Sequence, residues 1–313
     1  MRGENMDAGR KTAVIFGAAG FVGRNVVAAL ARGGWDVRAG VRSMAAAKWL
    51  RELGVEPVLA PLESSDATAR ALQGAALAVN LVGILAEARA GDFARLHAQA
   101  AGRLATQAAA AGVGQFVHVS AIGADPASGS LYAASKGEGE RLVRAAFPGA
   151  VILRPSIIFG VGDSFFNRFA AMARVMPVIP IVGGAVKFQP VHVGDVAAAI
   201  RVAAEPGHEG RIFELGGPEV VSFHELVART LRYSCQRRLI WDMPVALAKF
   251  QAMMLERLPG KLLTRDQIKL LARDNVAGPG MPGLAELGIA PVAIERVVPD
   301  DLARFCGKRR SEK

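Results

Sequence analysis

Cysteine is nearly missing from this chain: Cys235 and Cys306 are the two among 313 residues. Two thiols so far apart match no metal-ligand or redox-motif spacing and make no disulfide framework. A reducing compartment is the simpler expectation. Acidic residues are also scarce, 28 against 38 Lys and Arg, which leaves a net charge of +10. That excess fits a solvated Arg-rich surface, or a face that meets anionic lipid or an acidic protein. Aromatic residues are 6% of the chain, with two tyrosines. No basic stripe is interleaved with aromatics and no zinc pattern occurs, which argues against nucleic acid as a partner and against a metal site. Long apolar runs are absent too. The stretches 71–86 and 104–124 are interrupted by polar residues and glycine, so they read as buried strand and helix pieces rather than membrane spans. Residues 1–11 lack the apolar core of a secretion signal and are expected to form a disordered lead-in, with Met6 an alternative start. The cluster Lys308-Arg309-Arg310 reads as part of a solvated basic tail, 308–313.

What is present is a regular alternation of short apolar runs and helical patterns. Strands are expected at 12–16, 36–41, 55–59, 75–82, 115–120 and 151–154. Helices are expected at 21–31, 45–53, up to Leu72 after a cap at Ser64 or Ser65, at 92–111 and at 131–146. Strands alternating with helices at this spacing imply an α/β fold of the Rossmann type, a doubly wound parallel sheet with its ligand at the carboxyl ends of the strands. This dinucleotide-binding domain is placed at 12–160. A smaller C-terminal α/β lobe follows at 161–307. Its expected pieces are a loop at 155–163, helices at 165–175 and 193–204, a Pro- and Gly-containing loop at 178–184, strands at 211–215 and 238–241, a helix from the Ser222 cap to Tyr233, and helices at 244–258 and 264–273.

Between the first strand and the first helix lies Gly17-Ala18-Ala19-Gly20-Phe21-Val22-Gly23. Gly17 permits a tight turn, Gly20 lets backbone approach a pyrophosphate, and Gly23 lets the helix pack closely on the sheet. The phosphates would then meet free N–H groups at the positive end of the helix dipole. Ala19, Phe21 and Val22 belong to the same candidate loop. The second strand runs out in Val37-Arg38-Ala39-Gly40-Val41-Arg42-Ser43 with no acidic residue to bond a ribose 2′-hydroxyl. Arg42, helped by Ser43 and Arg24, would suit a 2′-phosphate, so NADP(H) is favoured over NAD(H). Leu62 beyond the third strand, Val82 and Gly83 in the Asn80-Leu81-Val82-Gly83 stretch that ends the fourth at the crevice, and Arg154 and Pro155 at the end of the sixth complete the cofactor-binding candidates.

The catalytic candidates are Ser120, Tyr132 and Lys136. Residues four apart share a helix face, so Tyr132 and Lys136 can enter one cleft. An ammonium beside a phenol lowers its pKa and makes it a usable acid–base, while the Ser120 hydroxyl holds a substrate oxygen. The alternative is that the pair only holds the nicotinamide ribose.

These elements, with Val191-His192-Val193-Gly194-Asp195-Val196, resemble the extended, atypical short-chain dehydrogenase/reductase superfamily. The segments 154–169, 187–196, 263–267 and 282–289 are further similar to the nucleotide-binding accessory subunit of respiratory complex I. That resemblance implies tightly held NADPH with little or no turnover. It also implies association with complex I subunits; with no membrane span read from the sequence, the expected position is cytoplasmic, peripheral on the inner membrane near anionic lipid. A free NADP-dependent reductase, epimerase or dehydratase using Ser120, Tyr132 and Lys136 is the alternative. A redox-sensing binding protein of the same fold is a third.

Overall fold

The computed structural model describes residues 11–248 and 265–306. Six strands, β1 (Thr12–Phe16), β2 (Asp36–Val41), β3 (Glu56–Leu59), β4 (Leu77–Asn80), β5 (Gln115–Val119) and β6 (Val151–Pro155), alternate with α1 (Phe21–Arg32), α2 (Lys48–Glu52), α3 (Ser65–Leu72), α4 (Ala100–Ala110) and α5 (Leu131–Ala146). Then come β7 (Ile158–Phe159), α6 (Ser164–Val175), β8 (Val178–Ile181), β9 (Lys187–Phe188), β10 (Val191–His192), α7 (Val193–Ala203), β11 (Ile212–Leu215), β12 (Val221–Ser222), α8 (Phe223–Tyr233) and β13 (Leu239–Asp242).

The main sheet has seven strands in the order β11-β6-β5-β4-β1-β2-β3, every neighbouring pair parallel. The order reverses between β1 and β4, which puts the crevice for a ligand beside the β1–α1 turn. Side chains of β1 alternate between the two faces. Ala13 and Ile15 enter a cluster with Val26, Val27 and Leu30 of α1 and Val196 and Ile200 of α7. Val14 and Phe16 enter the opposite cluster with Leu104, Phe116 and Val143. Both faces are covered, which is why the strands read as unbroken apolar runs. The sheet takes in β11 and the α7 layer from beyond residue 160, so the nucleotide-type core draws on both halves of the chain. A third apolar cluster, with Phe159, Phe166, Phe223, Leu226 and Leu302, lies among β7, α6, α8 and the C-terminal residues.

Four local expectations need correction or narrowing. Residues 178–184 contain a strand, β8, paired in parallel with β13. Pro180 is tolerated there because a two-stranded ribbon leaves edge positions where no amide donor is needed. The helix expected at 92–111 is broken: a π-helical turn, Ala94–Gln99, precedes α4. The helix expected at 45–53 is a 3-10 turn, Met44–Ala47, followed by α2. The expected loop at 155–163 carries β7, which pairs with β10. The cysteine expectation is overturned: Cys235 and Cys306 are joined in a disulfide across 71 residues, with Cα atoms 5.0 Å apart. Cys235 takes a left-handed φ of 56° just after α8. The helix expected at 244–258 lies largely outside the described residues, as do 1–10 and 307–313; that at 264–273 is seen as Arg265–Leu270.

Candidate dinucleotide site

Gly17 adopts φ +86°, and a Cβ there would press on the Leu81 backbone at 3.2 Å. A Cβ on Gly23 would lie 2.3 Å from the Gly17 carbonyl oxygen and 2.5 Å from that of Ala18. These two glycines are therefore required by the fold itself. Gly20 is different: it is exposed, and its Cβ would meet only the Gly17 oxygen at 3.3 Å. It caps α1 with no side-chain hydrogen bond, and the first turn of α1 has no acidic residue. That leaves the positive end of α1 open to an anion. Ala19, Phe21 and Val22 are half-buried around it.

At the end of β2, Arg42 and Ser43 are exposed, and no acid stands at this strand end. Arg42 has no hydrogen-bond or ion-pair partner among the described residues, so its guanidinium is free to receive a ligand. The Ser43 Oγ accepts the Ala45 N–H at 3.3 Å. The Arg24 guanidinium lies 5.2 Å over the Trp49 ring. Arg38 is engaged elsewhere, donating to the carbonyls of Ala71 and Gln73.

The segment after β4 is held by a lattice of buried polar groups. The Leu81 N–H donates to Phe16 at 2.9 Å, and the Val82 N–H donates to Asn80 Oδ1 at 3.1 Å. The other amide atom of Asn80 is then the nitrogen, which donates to His118 Nδ1 at 3.1 Å. The His118 ring proton therefore sits on Nε2, a buried atom with no partner. The Ile84 N–H donates to His97 Nε2 at 3.0 Å. A backbone N–H can only donate, so the His97 proton is on Nδ1 and goes to Ser135 Oγ at 2.9 Å. Ser135 Oγ in turn donates to the Tyr132 carbonyl at 2.8 Å. Burial, with the Lys136 charge adding to it, pushes both histidines down to about 3, so both rings are neutral. The π-helical turn is what brings His97 between the β4 loop and α5.

Ser130 caps α5, accepting the Ala133 N–H, and α5 carries Tyr132 and Lys136. Lys136 is buried; its Nζ donates to the Val119 carbonyl at 3.3 Å. Burial pulls it down to about 8, opposed by the Glu140 carboxylate. The Tyr132 phenol is pushed up to about 12 by burial, against the lowering expected from a neighbouring ammonium. In the absence of ligand it is a proton donor. Its ring meets those of Phe93 and His97 edge-on, at 5.7 and 5.4 Å. Ser120 is buried at the end of β5 with its Oγ unpartnered. A Cβ on Gly83 would lie 3.3 Å from Lys136 Nζ and 3.6 Å from His97 Nε2, so the β4 loop and the α5 face meet there.

Arg154 turns to protein partners. Its guanidinium grips Glu140 in a two-pronged pair at 2.9 and 2.6 Å and reaches Glu214 at 3.3 Å. Pro155 is buried, and its carbonyl accepts the Ile122 N–H at 3.1 Å. Leu62 lies in the apolar cluster against which Val82 packs. Sequence reasoning missed His97, His118 and Ser135 as parts of the site, and placed Asn80 at the crevice without its side-chain role. A single histidine within an apolar run gives no sign of which way it faces.

These residues fit a dinucleotide. An uncapped, acid-free helix start, an open Gly20, a free arginine at the β2 end and an orphaned Ser120 hydroxyl all lie around the carboxyl ends of β1, β2, β4 and β5.

Comparison with known proteins agrees. The pattern of the NAD dependent epimerase/dehydratase family matches residues 13–216. The mitochondrial "NADH dehydrogenase [ubiquinone] 1 alpha subcomplex subunit 9" of Dictyostelium discoideum is 31% identical over 293 residues, covering 90% of this chain and 82% of that protein. The "Ceramide reductase" of Caulobacter vibrioides is 37% identical over 191 residues, 61% of this chain and 60% of that one. An NADPH-dependent quinone oxidoreductase of Escherichia coli, solved with NADPH, superposes with a TM-score of 0.72 at 21% identity, over 94% and 99% of the two chains. The chain belongs to the NAD dependent epimerase/dehydratase family, a short-chain dehydrogenase/reductase type with a Rossmann-type NAD(P)-binding fold, and is homologous to the alpha subcomplex subunit 9 of NADH dehydrogenase.

Proposed function

We propose that this protein holds NADP(H) as a resident dinucleotide and serves as an accessory or assembly component of NADH:ubiquinone oxidoreductase, placed peripherally on the cytoplasmic face of the membrane. The observation that carries the reading is the extent of the match to the complex I subunit. It covers 90% of the chain, well beyond the family pattern that ends at residue 216. Among the described residues no helix is long and apolar enough to cross a membrane, so attachment would come through partner subunits. The net charge of +10 would favour a site beside anionic lipid. Arg42 supports the choice of NADP(H): it would pair with a 2′-phosphate where an acid would be needed for NAD. When bound, the dinucleotide supplies a hydride donor. Around it, the first turn of α1 would bind the pyrophosphate, and Lys136 and Tyr132 would hold the ribose. Native-gel separation of detergent-solubilised membranes tests the assignment. Co-migration of the protein with NADH:ubiquinone oxidoreductase activity is expected; a small species free of that activity would refute it.

A free NADP-dependent reductase is the second reading. The unpartnered Ser120 Oγ, with Tyr132 protonated and Lys136 buried one turn further along α5, favours this reading. It predicts carbonyl-dependent NADPH oxidation that Tyr132→Phe abolishes.

A further inference from the structure

The C-terminal stretch 265–275 lies across the carboxyl ends of β5 and β6. Ser156 Oγ, just after β6, donates to Asn275 Oδ1 at 2.7 Å, and Asn275 Nδ2 donates to the Ile122 carbonyl, just after β5, at 3.4 Å. Asp274 Oδ1 accepts the Lys187 N–H at 2.9 Å. At the other end of the stretch, Asp266 sits on the N-terminus of α5. Its carboxylate accepts the Leu131 N–H at 2.7 Å, the Tyr132 N–H at 3.1 Å and the Ser130 hydroxyl at 2.9 Å. Lys269 Nζ ties the same segment to the Gly129 carbonyl at 2.8 Å.

A helix start has four unsatisfied N–H groups, and Ser130 satisfies only one, that of Ala133. Two of the others are met by a carboxylate from 134 residues away. A charge-assisted bond of this kind is stronger than a neutral one and lies along the helix dipole. From Tyr132 the contacts continue through its carbonyl to Ser135 Oγ, from there to His97 Nδ1, and from His97 Nε2 to the Ile84 N–H beside Gly83. Hydrogen bonds linked through the Tyr132 backbone and the His97 ring thus join the C-terminal strap to the loop that lines the dinucleotide crevice.

We propose that Asp266 is a positioning residue for the dinucleotide site, so that the hold on NADP(H) depends on the strap 265–275 being seated on α5, and a partner that moves the strap alters cofactor retention. The inference rests on the NADP(H) reading above. Linkage makes it reciprocal: bound NADPH must steady the strap by the same factor by which the strap steadies NADPH.

The test is NADPH titration by nucleotide fluorescence, together with amide hydrogen exchange, on the full chain. Asp266→Ala is expected to weaken NADPH about fivefold or more at temperatures where the variant is folded. Asp266→Asn, which keeps one acceptor oxygen and the shape, should recover part of that loss. Glu225→Ala, which removes an acid from the first turn of α8, should leave affinity unchanged. In a double-mutant cycle with Ser135→Ala the two losses should be smaller together than their sum, which a general loss of stability would not produce. NADPH should also slow exchange in 265–275 of the wild type. If wild type binds NADPH while Asp266→Ala stays within twofold, or if NADPH leaves exchange in 265–275 unchanged, the positioning role is overturned and the cofactor reading stands. A wild type that binds no NADPH overturns both.

Discussion

Removing the guanidinium of Arg154 should unfold the protein at moderate temperature without acting on the dinucleotide. The side chain is 20% exposed, and its partners Glu140 and Glu214 are 6% and 9% exposed. Arg154→Met fills a similar volume but strands two carboxylates inside the protein. Glu214 keeps the Gly278 N–H at 2.8 Å, while Glu140 loses both of its bonds to the guanidinium. Breaking one side of a buried pair costs about 3–5 kcal/mol, because the remaining charge is uncompensated. At roughly 2–4 °C per kcal/mol for a chain of this size class, thermal unfolding should fall by roughly 10 °C. Adding Glu140→Gln to Arg154→Met removes one of the stranded charges, so the double variant should be more stable than the single one. Differential scanning fluorimetry of wild type, both single variants and the double variant measures this directly. NADPH affinity, read well below the midpoint, should change little. A single variant within 1 °C of wild type would refute the burial argument. A stable variant that fails to bind NADPH would show instead that Arg154 acts on the cofactor.

The two glycines of the β1–α1 turn should separate fold from binding. Gly23→Ala forces a Cβ to 2.3 Å from a backbone oxygen, so it should cost about 1–3 kcal/mol of stability, whereas Gly20→Ala should melt close to wild type yet bind NADPH poorly. Fluorescence titration beside thermal melts reads both, and normal binding by Gly20→Ala would misplace the phosphate site. Lys136, held at about 8 in the free protein, would be raised by a bound anion. NADPH affinity should therefore be full below pH 8 and fall as the pH rises above it; a flat profile from pH 7 to 9.5 would remove Lys136 from the site. His97 and His118, each near 3 when folded against 6.5 when unfolded, take up protons only on unfolding. Stability should thus be complete above pH 6.5 and decline toward pH 3, by up to about 1.4 kcal/mol per ring for each pH unit. Urea midpoints that hold steady from pH 7 to 4.5 would mean the rings are not buried neutral.

Local signals made the nucleotide half of the fold legible. Residues 12–16 and 36–41 form strands at the bounds their apolar runs indicate, and α5 spans 131–146 as its pattern predicts. Gly17 and Gly23 can be read because each glycine answers a steric demand made within a few residues of itself. What stayed hidden depends on contacts between distant parts of the chain. β8 reads as a loop because Pro180 outweighs the alternation around it, and only β13, some sixty residues on, supplies its partner. The disulfide is equally remote, since nothing near Cys235 or Cys306 announces the other.

The polar half of the site is hidden for a further reason. Tyr132 and Lys136 were recognisable by their spacing on one helix, but the phenol is shifted upward by burial, and burial cannot be read from spacing. His97 and His118 stand in runs where a histidine is ordinarily core filler. Their importance comes from tautomers set by Ile84 in the loop after β4 and by Asn80 at the end of β4. A chain of this kind therefore shows in its sequence where a dinucleotide would lie. The groups that orient the crevice are fixed only once β4, α5 and the C-terminal strap are brought together. Variants that leave the glycine motif and Tyr132 and Lys136 intact can for that reason still lose the cofactor, and Asp266 is the first place to look for such a loss.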